Sequence, residues 1–563
     1  YKEFTVGVSE SSGSKSRTEL GPADEQGNRS VLWQKGDEIR VFADVDGANP
    51  DGYKFTVTEI QDGGNTATIS GEVANAEKFY ALYPYDVYNS TGGLIKDNGS
   101  VYICANIPDN QSVSVDGGYD PKACISVAEL NSDGGEFKLA CGILGFQFKD
   151  KTATSVEIKE IQVDITDRTL SNNAQYMKLN VIDGSIPSGS NISKIRTIKI
   201  QPEVEGGTFL ENTTYYVCLP PINGEDITVK FIDSESASLD KVWSGFTLNR
   251  HDKKEIYNIA LTEADYHLTI DDAGKFVNWY KDNINKYPKV TLSGVIDMVD
   301  QEPLKAKAFS GILEGTDGCE IKNLVMNISL PTDNNGLFAS LNGAKVSNIT
   351  LTDLTINDGI YVGSICGYAN NSTIVGCKVK GGSVLGSYVG GVVGDLTSGT
   401  VDGCEVTDIV LETNGGKLSV CGGLVAFLRN SSRIDASFVT GNMSSSVGVN
   451  IGGIIGSWGS VNAKIVSCYS FVKLPSGAGY VYGKPYEDGS STTIDMVSSR
   501  YVTNEVLEEY PNGTISVEGL QTQDTINTMN DYLEQANSGY RYVVNPATIT
   551  HFSTPPLILE KAQ

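Results

Sequence analysis

A short motif, glycine followed within one or two residues by paired apolar side chains, recurs through the C-terminal half of the chain. It stands as Gly336-Leu337-Phe338, Gly363-Ser364-Ile365-Cys366, Gly390-Gly391-Val392-Val393, Gly422-Gly423-Leu424-Val425 and Gly452-Gly453-Ile454-Ile455. The aligned residues Leu337, Ile365, Val392, Leu424 and Ile454 are 28, 27, 32 and 30 residues apart. A unit this short buries an apolar face only against its neighbours, so a nearly fixed period of this size specifies a solenoid. A second column follows in each unit: Cys319, Ile349, Cys377, Cys404, Ser437 and Cys468. Two residues further on, Ile321, Leu351, Val379, Val406 and Val439 are apolar, so both columns face inward along a strand. The connectors are Asn, Ser, Gly and Asp, as in Gly367-Tyr368-Ala369-Asn370-Asn371-Ser372, and contain no helical pattern. The expected fold of this part is a right-handed parallel β-helix, with repeats over about 311–483 of a domain spanning 266–563.

Two helices are predicted beside the repeats. Asp272 caps the first, whose face is Phe276, Val277, Tyr280 and Ile284, and Pro288 stops it. The second spans about 525–536, with Ile526, Met529, Leu533 and Ala536 on one face and Gly539 just beyond. Both are expected as caps, because an open solenoid end exposes unpaired strand edges. Upstream of the repeats the pattern is period-2 alternation, as in Glu38-Ile39-Arg40-Val41-Phe42 and Val156-Glu157-Ile158-Lys159-Glu160-Ile161. That alternation predicts antiparallel strands, grouped here as two tandem β-sandwich domains, 1–149 and 150–265. Gly142-Ile143-Leu144-Gly145-Phe146-Gln147-Phe148 reads as the last core strand of the first. The fold class is all-β.

Composition narrows the function. With 43 Lys and Arg against 69 Asp and Glu the formal charge is −26, which repels a phosphate backbone, so no nucleic acid is expected as a partner. No stretch reaches the ~18 apolar residues of a membrane-spanning helix, and a start at Tyr1 is read as an upstream segment removed. None of the ten Cys forms a Cys-x-x-Cys pair; Cys319, Cys377, Cys404 and Cys468 share a column with Ile349 and Ser437, so they are expected as buried thiols. His251, His267 and His551 are scattered, and neither a metal nor a cofactor is expected.

Several stretches carry a resemblance. Ser16-Arg17-Thr18, Val31-Leu32-Trp33-Gln34-Lys35-Gly36-Asp37-Glu38-Ile39-Arg40-Val41-Phe42, Phe79-Tyr80-Ala81-Leu82-Tyr83-Pro84-Tyr85 and Thr214-Tyr215-Tyr216-Val217-Cys218-Leu219-Pro220-Pro221 together resemble the fimbrillin-like proteins of Bacteroidales. The repeats look like GLUG-type β-helix repeats, with Ala339 where that motif would close on Gly. The resemblance implies export, a cell-surface location as an outer-membrane-anchored lipoprotein or within a fimbria, and donor-strand exchange with other fimbrial subunits. It further implies that an arginine-specific protease removes the first strand, and Arg17, followed by Thr18, or Arg29 is then the cleavage point; the alternative is an ordinary solvated loop arginine.

Parallel β-helices also hold polysaccharide lyases and hydrolases, whose chemistry needs convergent carboxylates. The residue after each ladder Cys position is Glu320, Thr350, Lys378, Glu405, Phe438 or Tyr469, a mixed column. Asp402, Glu405 and Asp408 are the densest acidic group, spaced so that Asp402 and Asp408 would share a face with Glu405 opposite. No catalytic set is expected from these. With 27 Tyr and 4 Trp the surface suits a protein or glycan receptor, and Trp458 is the candidate anchor, against a packed loop Trp. A non-enzymatic adhesion protein is expected, as a tip or accessory subunit that accepts a neighbour's strand. Its last run, Pro556-Leu557-Ile558-Leu559-Glu560, lacks the alternation of a donor strand. A β-helix lyase and a structural pilus subunit without a receptor remain the alternatives.

Overall fold

The computed structural model describes residues 1–8, 19–23, 29–88, 93–114, 116–149, 157–165, 176–187, 197–250, 252–259, 266–330, 332–414, 419–445, 450–459, 462–475, 478–479, 481–485, 494–503, 514–549 and 551–562. It is all-β apart from a few short helices, and it divides into two compact units, Tyr1–Asp265 and Tyr266–Gln563.

In the first unit seven strands close a barrel, in the order Lys2–Val8, Gly135–Leu139, Ser126–Leu130, Phe79–Tyr83, Glu38–Ala43, Tyr53–Gln61 and Thr66–Gly71. The alternation read from the sequence puts Ile39, Val41, Phe55 and Val57 inside. Trp33 fills the centre, edge-on to Tyr83 and Phe137 with ring centroids 5.2 Å apart in both pairs. The N-terminal strand is the closing stave. It runs antiparallel to Thr66–Gly71 and parallel to Gly135–Leu139, and buries Phe4 and Val6.

The other strands of this unit stack as sheets. Asn110–Val113, Thr197–Pro202, Ile158–Ile165, Ile222–Asp233 and Ser238–Leu248 form one; Thr214–Leu219, Gly142–Phe148 and Lys253–Ile259 form another. Phe146 and Phe148 from the second meet Phe231 of the first edge-on at 5.9 and 5.7 Å, the interdigitation of sheet-on-sheet packing. Gly142–Phe148 therefore belongs with strands beyond residue 200, and Ser100–Asn106 pairs with Tyr176–Asn180. Residues 100–148 thus contribute strands both to the barrel, as Ser126–Leu130 and Gly135–Leu139, and to the sheets built with later strands. A strand buried on both faces reads as continuous apolar sequence whichever partners flank it, so its own residues do not say where they lie.

The second unit is a parallel β-helix of about six turns. Its longest ladders climb through Ile312–Gly315, Lys345–Ser347, Thr373–Val375, Thr400–Asp402, Arg433–Asp435 and Lys464–Val466, and through Glu320–Lys322, Thr350–Ile356, Lys378–Gly386, Glu405–Thr413, Phe438–Ser445 and Tyr469–Lys473. A third contains Phe338–Asn342, Cys366–Asn370, Val393–Thr397, Val425–Arg429 and Ile455–Trp458. The column deduced from spacing is a physical stack. Leu424 N donates to Ile454 O at 2.8 Å, Val392 N to Leu424 O at 2.8 Å and Ile365 N to Val392 O at 3.0 Å, and Val481 extends the series by accepting from Ile454 N.

The repeated glycine has a steric cause. A Cβ at Gly390, Gly422 or Gly452 would lie 1.9 to 2.0 Å from the carbonyl oxygen three residues on, where the chain doubles back within the coil. No side chain fits there. The Cys column has a hydrogen-bonding cause. Cys404 Sγ and Cys468 Sγ donate to the carbonyl two residues back at 3.6 and 3.5 Å, and Ser437 Oγ does the same at 2.7 Å. Cys and Ser interchange because each reaches that carbonyl. All ten Cys are buried thiols, and burial pushes Cys404 and Cys468 above the ordinary thiol range. Alkylation of the native protein should therefore leave Cys319, Cys377, Cys404 and Cys468 unlabelled, whereas denaturant without reductant should expose all four. Two missing labels under denaturing conditions would mean a disulfide.

The predicted helices form. Asp272 accepts from Lys275 N at 2.9 Å at the start of Ala273–Asn278, which continues into a π turn over Trp279–Asn283. Phe276 and Tyr280 stack beside Phe338 and Phe309, and Tyr280 Oη donates to Leu337 O at 2.6 Å. Gln523–Gln535 buries Ile526, Met529 and Leu533 as expected. The surface it covers is the outer flank of the last coils, among Ala436, Phe438, Val466, Tyr469 and Val502. An antiparallel hairpin of Tyr540–Val544 and Leu557–Lys561 completes this cover.

Candidate functional site

The outward column that begins after the Cys ladder changes character along the solenoid. Phe438 and Tyr469 are fully buried, stacked at 4.8 Å and 5°, because the C-terminal hairpin lies over them. Tyr469 Oη bonds to Leu557 O, and Tyr542 Oη donates to Ser437 O at 3.3 Å. Beyond the hairpin's edge the same column continues as Glu405, Lys378, Thr350 and Glu320, in register coil by coil. Here it is open. Between it and the hairpin residues Tyr540, Leu559 and Lys561 runs a groove of about 850 Å³, lined also by Glu314, Asp317, Asn348, Gly376 and Gly403.

Registration creates contacts that the linear column does not display. Lys378 and Glu405 stand on adjacent coils and form an ion pair at 3.1 Å. Glu320 accepts from Thr352 Oγ1, which together with Lys322 at 3.3 Å holds its carboxyl below the usual carboxylate range. The mixed column is thus an organised polar surface, with a pair where the sequence presented none. Tyr540, Leu559 and Lys561 were not foreseen, since no local pattern tells a terminal hairpin where to dock.

The acidic group around residue 405 does not converge. Asp402 ends one strand and Glu405 begins the next, with Gly403 between them at φ +63. That corner breaks the alternation from which a shared face for Asp402 and Asp408 was inferred. Asp402 accepts from Ser538 Oγ at 2.7 Å, and burial raises its pKa; Asp408 sits exposed at φ +55. Trp458 is only 8% exposed, in register with Leu428 and edge-on to Tyr482 at 5.3 Å. Its ring is packed, and Tyr482 presents the solvent side of the pair. Arg17 and Thr18 lie outside the described residues, as does the side chain of Arg29.

Asp435 stacks on Asp402 in the next coil and pairs with Arg433, whose Nη2 donates to Ala536 O at 3.0 Å. Burial pushes Asp435 up to about 6, against an ordinary 3.8. A folded-state value above the unfolded one gives stability that is complete below pH ~4 and is lost as pH rises through about 6. Asp435→Asn should remove that slope. Urea unfolding of both proteins between pH 4 and 7.5 is expected to show the variant gaining on the parent as pH rises; parallel curves would refute it.

Comparison with known proteins gives no family: no sequence model of a protein family and no curated protein matches this chain. Among solved structures, a candidate cell adhesion protein from Bacteroides ovatus is 13% identical, covering 47% of this chain and 94% of its own, with a TM-score of 0.28. A fimbrial protein from Bacteroides ovatus is 13% identical over 46% of this chain and 50% of its own, with a TM-score of 0.22. An IgA1 protease is 14% identical over 71% of this chain and 33% of its own, with a TM-score of 0.31.

Proposed function

We propose that this chain is a cell-surface adhesion protein, a fimbrial tip or accessory subunit, that holds its receptor in the groove of the β-helix. The observation that carries this reading is the outward column, apolar only where the hairpin covers it and polar where it is open. A solenoid needing nothing but solubility has no use for a walled groove over that polar stretch, whereas a receptor site needs fixed polar groups beside an aromatic.

Turnover is the weaker reading of the same surface. Glu320 and Glu405 are three coils apart, which at ~4.8 Å per coil is about 14 Å, beyond the ~5 to 9.5 Å of glycosidase carboxylate pairs. Asp402 and Asp435 are adjacent but lie beneath the C-terminal cover, engaged with Ser538 and Arg433.

Assembly by strand exchange is supported by the barrel's closing stave. Cleavage at Arg17 would release Lys2–Val8, and its departure would leave a slot between Thr66–Gly71 and Gly135–Leu139 with pockets vacated by Phe4 and Val6. Leu557–Lys561 is already paired within its own hairpin, so this strand is engaged and not free to enter a neighbour's slot. The full chain should therefore be retained by an array of immobilised glycans and matrix proteins, and after treatment with an arginine-specific protease it should join stalk subunits one to one. Retention by nothing on the array would favour the structural subunit, and long fibres of this chain alone would exclude the tip placement.

A further inference from the structure

The groove's chemistry selects among receptors. We propose that it takes a short uncharged oligosaccharide with one sugar ring seated on Tyr540, an inference that rests on the groove being the receptor site. Tyr540 is sunk into the solenoid wall. A Cβ at Gly403 would lie 2.2 Å from Tyr540 Cε2, and one at Gly376 would lie 2.2 Å from its Oη. Both glycines have φ +63, yet the equivalent corners of other coils hold Asn348, Ala436, Ser467 and Ser498 at φ +57, +44, +50 and +52. Backbone conformation therefore does not demand glycine in this column. At Gly376 and Gly403, room for the tyrosine does.

A ring backed by a glycine wall is a rigid plate, and the C–H face of a pyranose is a ligand surface that matches it. The groups beside it suit the hydroxyls. Glu405 is held by Lys378, so its carboxylate is oriented before a ligand arrives and has lone pairs left to accept from vicinal hydroxyls; Glu320, held by Thr352 and Lys322, stands three coils further along the column. The ammonium of Lys378 or Lys561 donates in return.

Charge argues for an uncharged ligand. Glu314, Asp317 and Glu405 line the groove with Lys378 and Lys561, and at its floor Glu320, Lys322 and Lys380 stand with Asp297, which lies opposite Lys322. Acids and bases nearly cancel here, on a chain of net charge −26 whose wider field repels polyanions. An extended peptide fits less well. The floor strands are hydrogen-bonded to neighbours on both sides, so none has an edge for strand addition, and Leu559 is the one aliphatic side chain among those lining the groove.

The test is calorimetric titration of the full chain with neutral trisaccharides of glucose, galactose, mannose and N-acetylglucosamine, and with a galacturonate trimer. At least one neutral sugar should bind about tenfold more tightly than the uronate. Tyr540→Phe should keep that affinity. Tyr540→Leu and Lys378→Ala should each weaken it about tenfold, and Lys378→Ala, at a half-buried position whose chain end is 3.1 Å from Glu405 on the surface, should unfold near the parental temperature, which separates lost binding from lost folding. Preference for the uronate, or neutral-sugar binding untouched by both substitutions, would overturn the proposal. If no sugar binds while Lys378→Ala still abolishes retention of a matrix protein, the ligand class is wrong and the receptor site stands; if neither sugar nor protein depends on the groove, both fall.

Discussion

Replacing Gly422 by valine is expected to abolish cooperative folding of residues 266–563. The added Cβ would lie 1.9 Å from Val425 O and 2.6 Å from both Gly456 N and Val425 C, all backbone atoms. Rotamer changes give no relief, so the coil must open. Opening it breaks bonds to both neighbours, since Leu424 N reaches Ile454 O and Val392 N reaches Leu424 O. The cost should be about 4 kcal/mol or more, in the exceptional range for one substitution. Gly539→Ala is the control, because nothing lies within 4 Å of its Cβ position. Denaturant melts should show the loss for Gly422→Val and parental behaviour for Gly539→Ala. A Gly422→Val protein that melts like the parent would mean that the tight corner is misdescribed.

The second large effect is expected at Tyr469, which joins the solenoid to its C-terminal cover. Its ring stacks on Phe438, lies 5.6 Å from Tyr542, and its hydroxyl meets both Leu557 O and Leu557 N. Tyr469→Ala removes a fully buried aromatic and leaves those backbone groups without that partner. Cavity and hydrogen-bond terms together suggest about 3 to 5 kcal/mol. Tyr469→Phe keeps the packing and should cost only about 1 to 2 kcal/mol. The Ala variant should also release the hairpin to proteolysis around residues 540–561 while the coils stay protected, and it should lose the groove, whose wall the hairpin forms. Simultaneous digestion of hairpin and coils would show that the cover is not a separable layer.

What the sequence made legible was whatever repeats or alternates locally. The period near 30 residues located the coils, and a Cys, Ser or Ile at one column marked an inward position because each coil asks the same of it. Asp272 and the apolar faces of the two helices were equally plain, since caps and 3.6-residue periodicity are written in neighbouring residues. Long-range pairing was not. Gly142–Phe148 shows that it is buried but not that Thr214–Leu219 and Lys253–Ile259 flank it. The Lys378 and Glu405 pair needed coil register, and Tyr540 needed the docking of a hairpin that begins 137 residues after Gly403. Trp458 left two readings open in the sequence, anchor or packed loop Trp, for a related reason: how far its ring is covered depends on Tyr482 of the next coil.

The central claim, that adhesion resides in the groove, is tested most directly by coating beads with the full chain and measuring their retention on host cells and on other bacteria under flow. The parent should be retained, and a Glu320→Ala, Lys378→Ala, Glu405→Ala triple variant that melts like the parent should be retained about tenfold less. Equal retention of parent and triple variant would contradict the claim and move the receptor site off the β-helix groove.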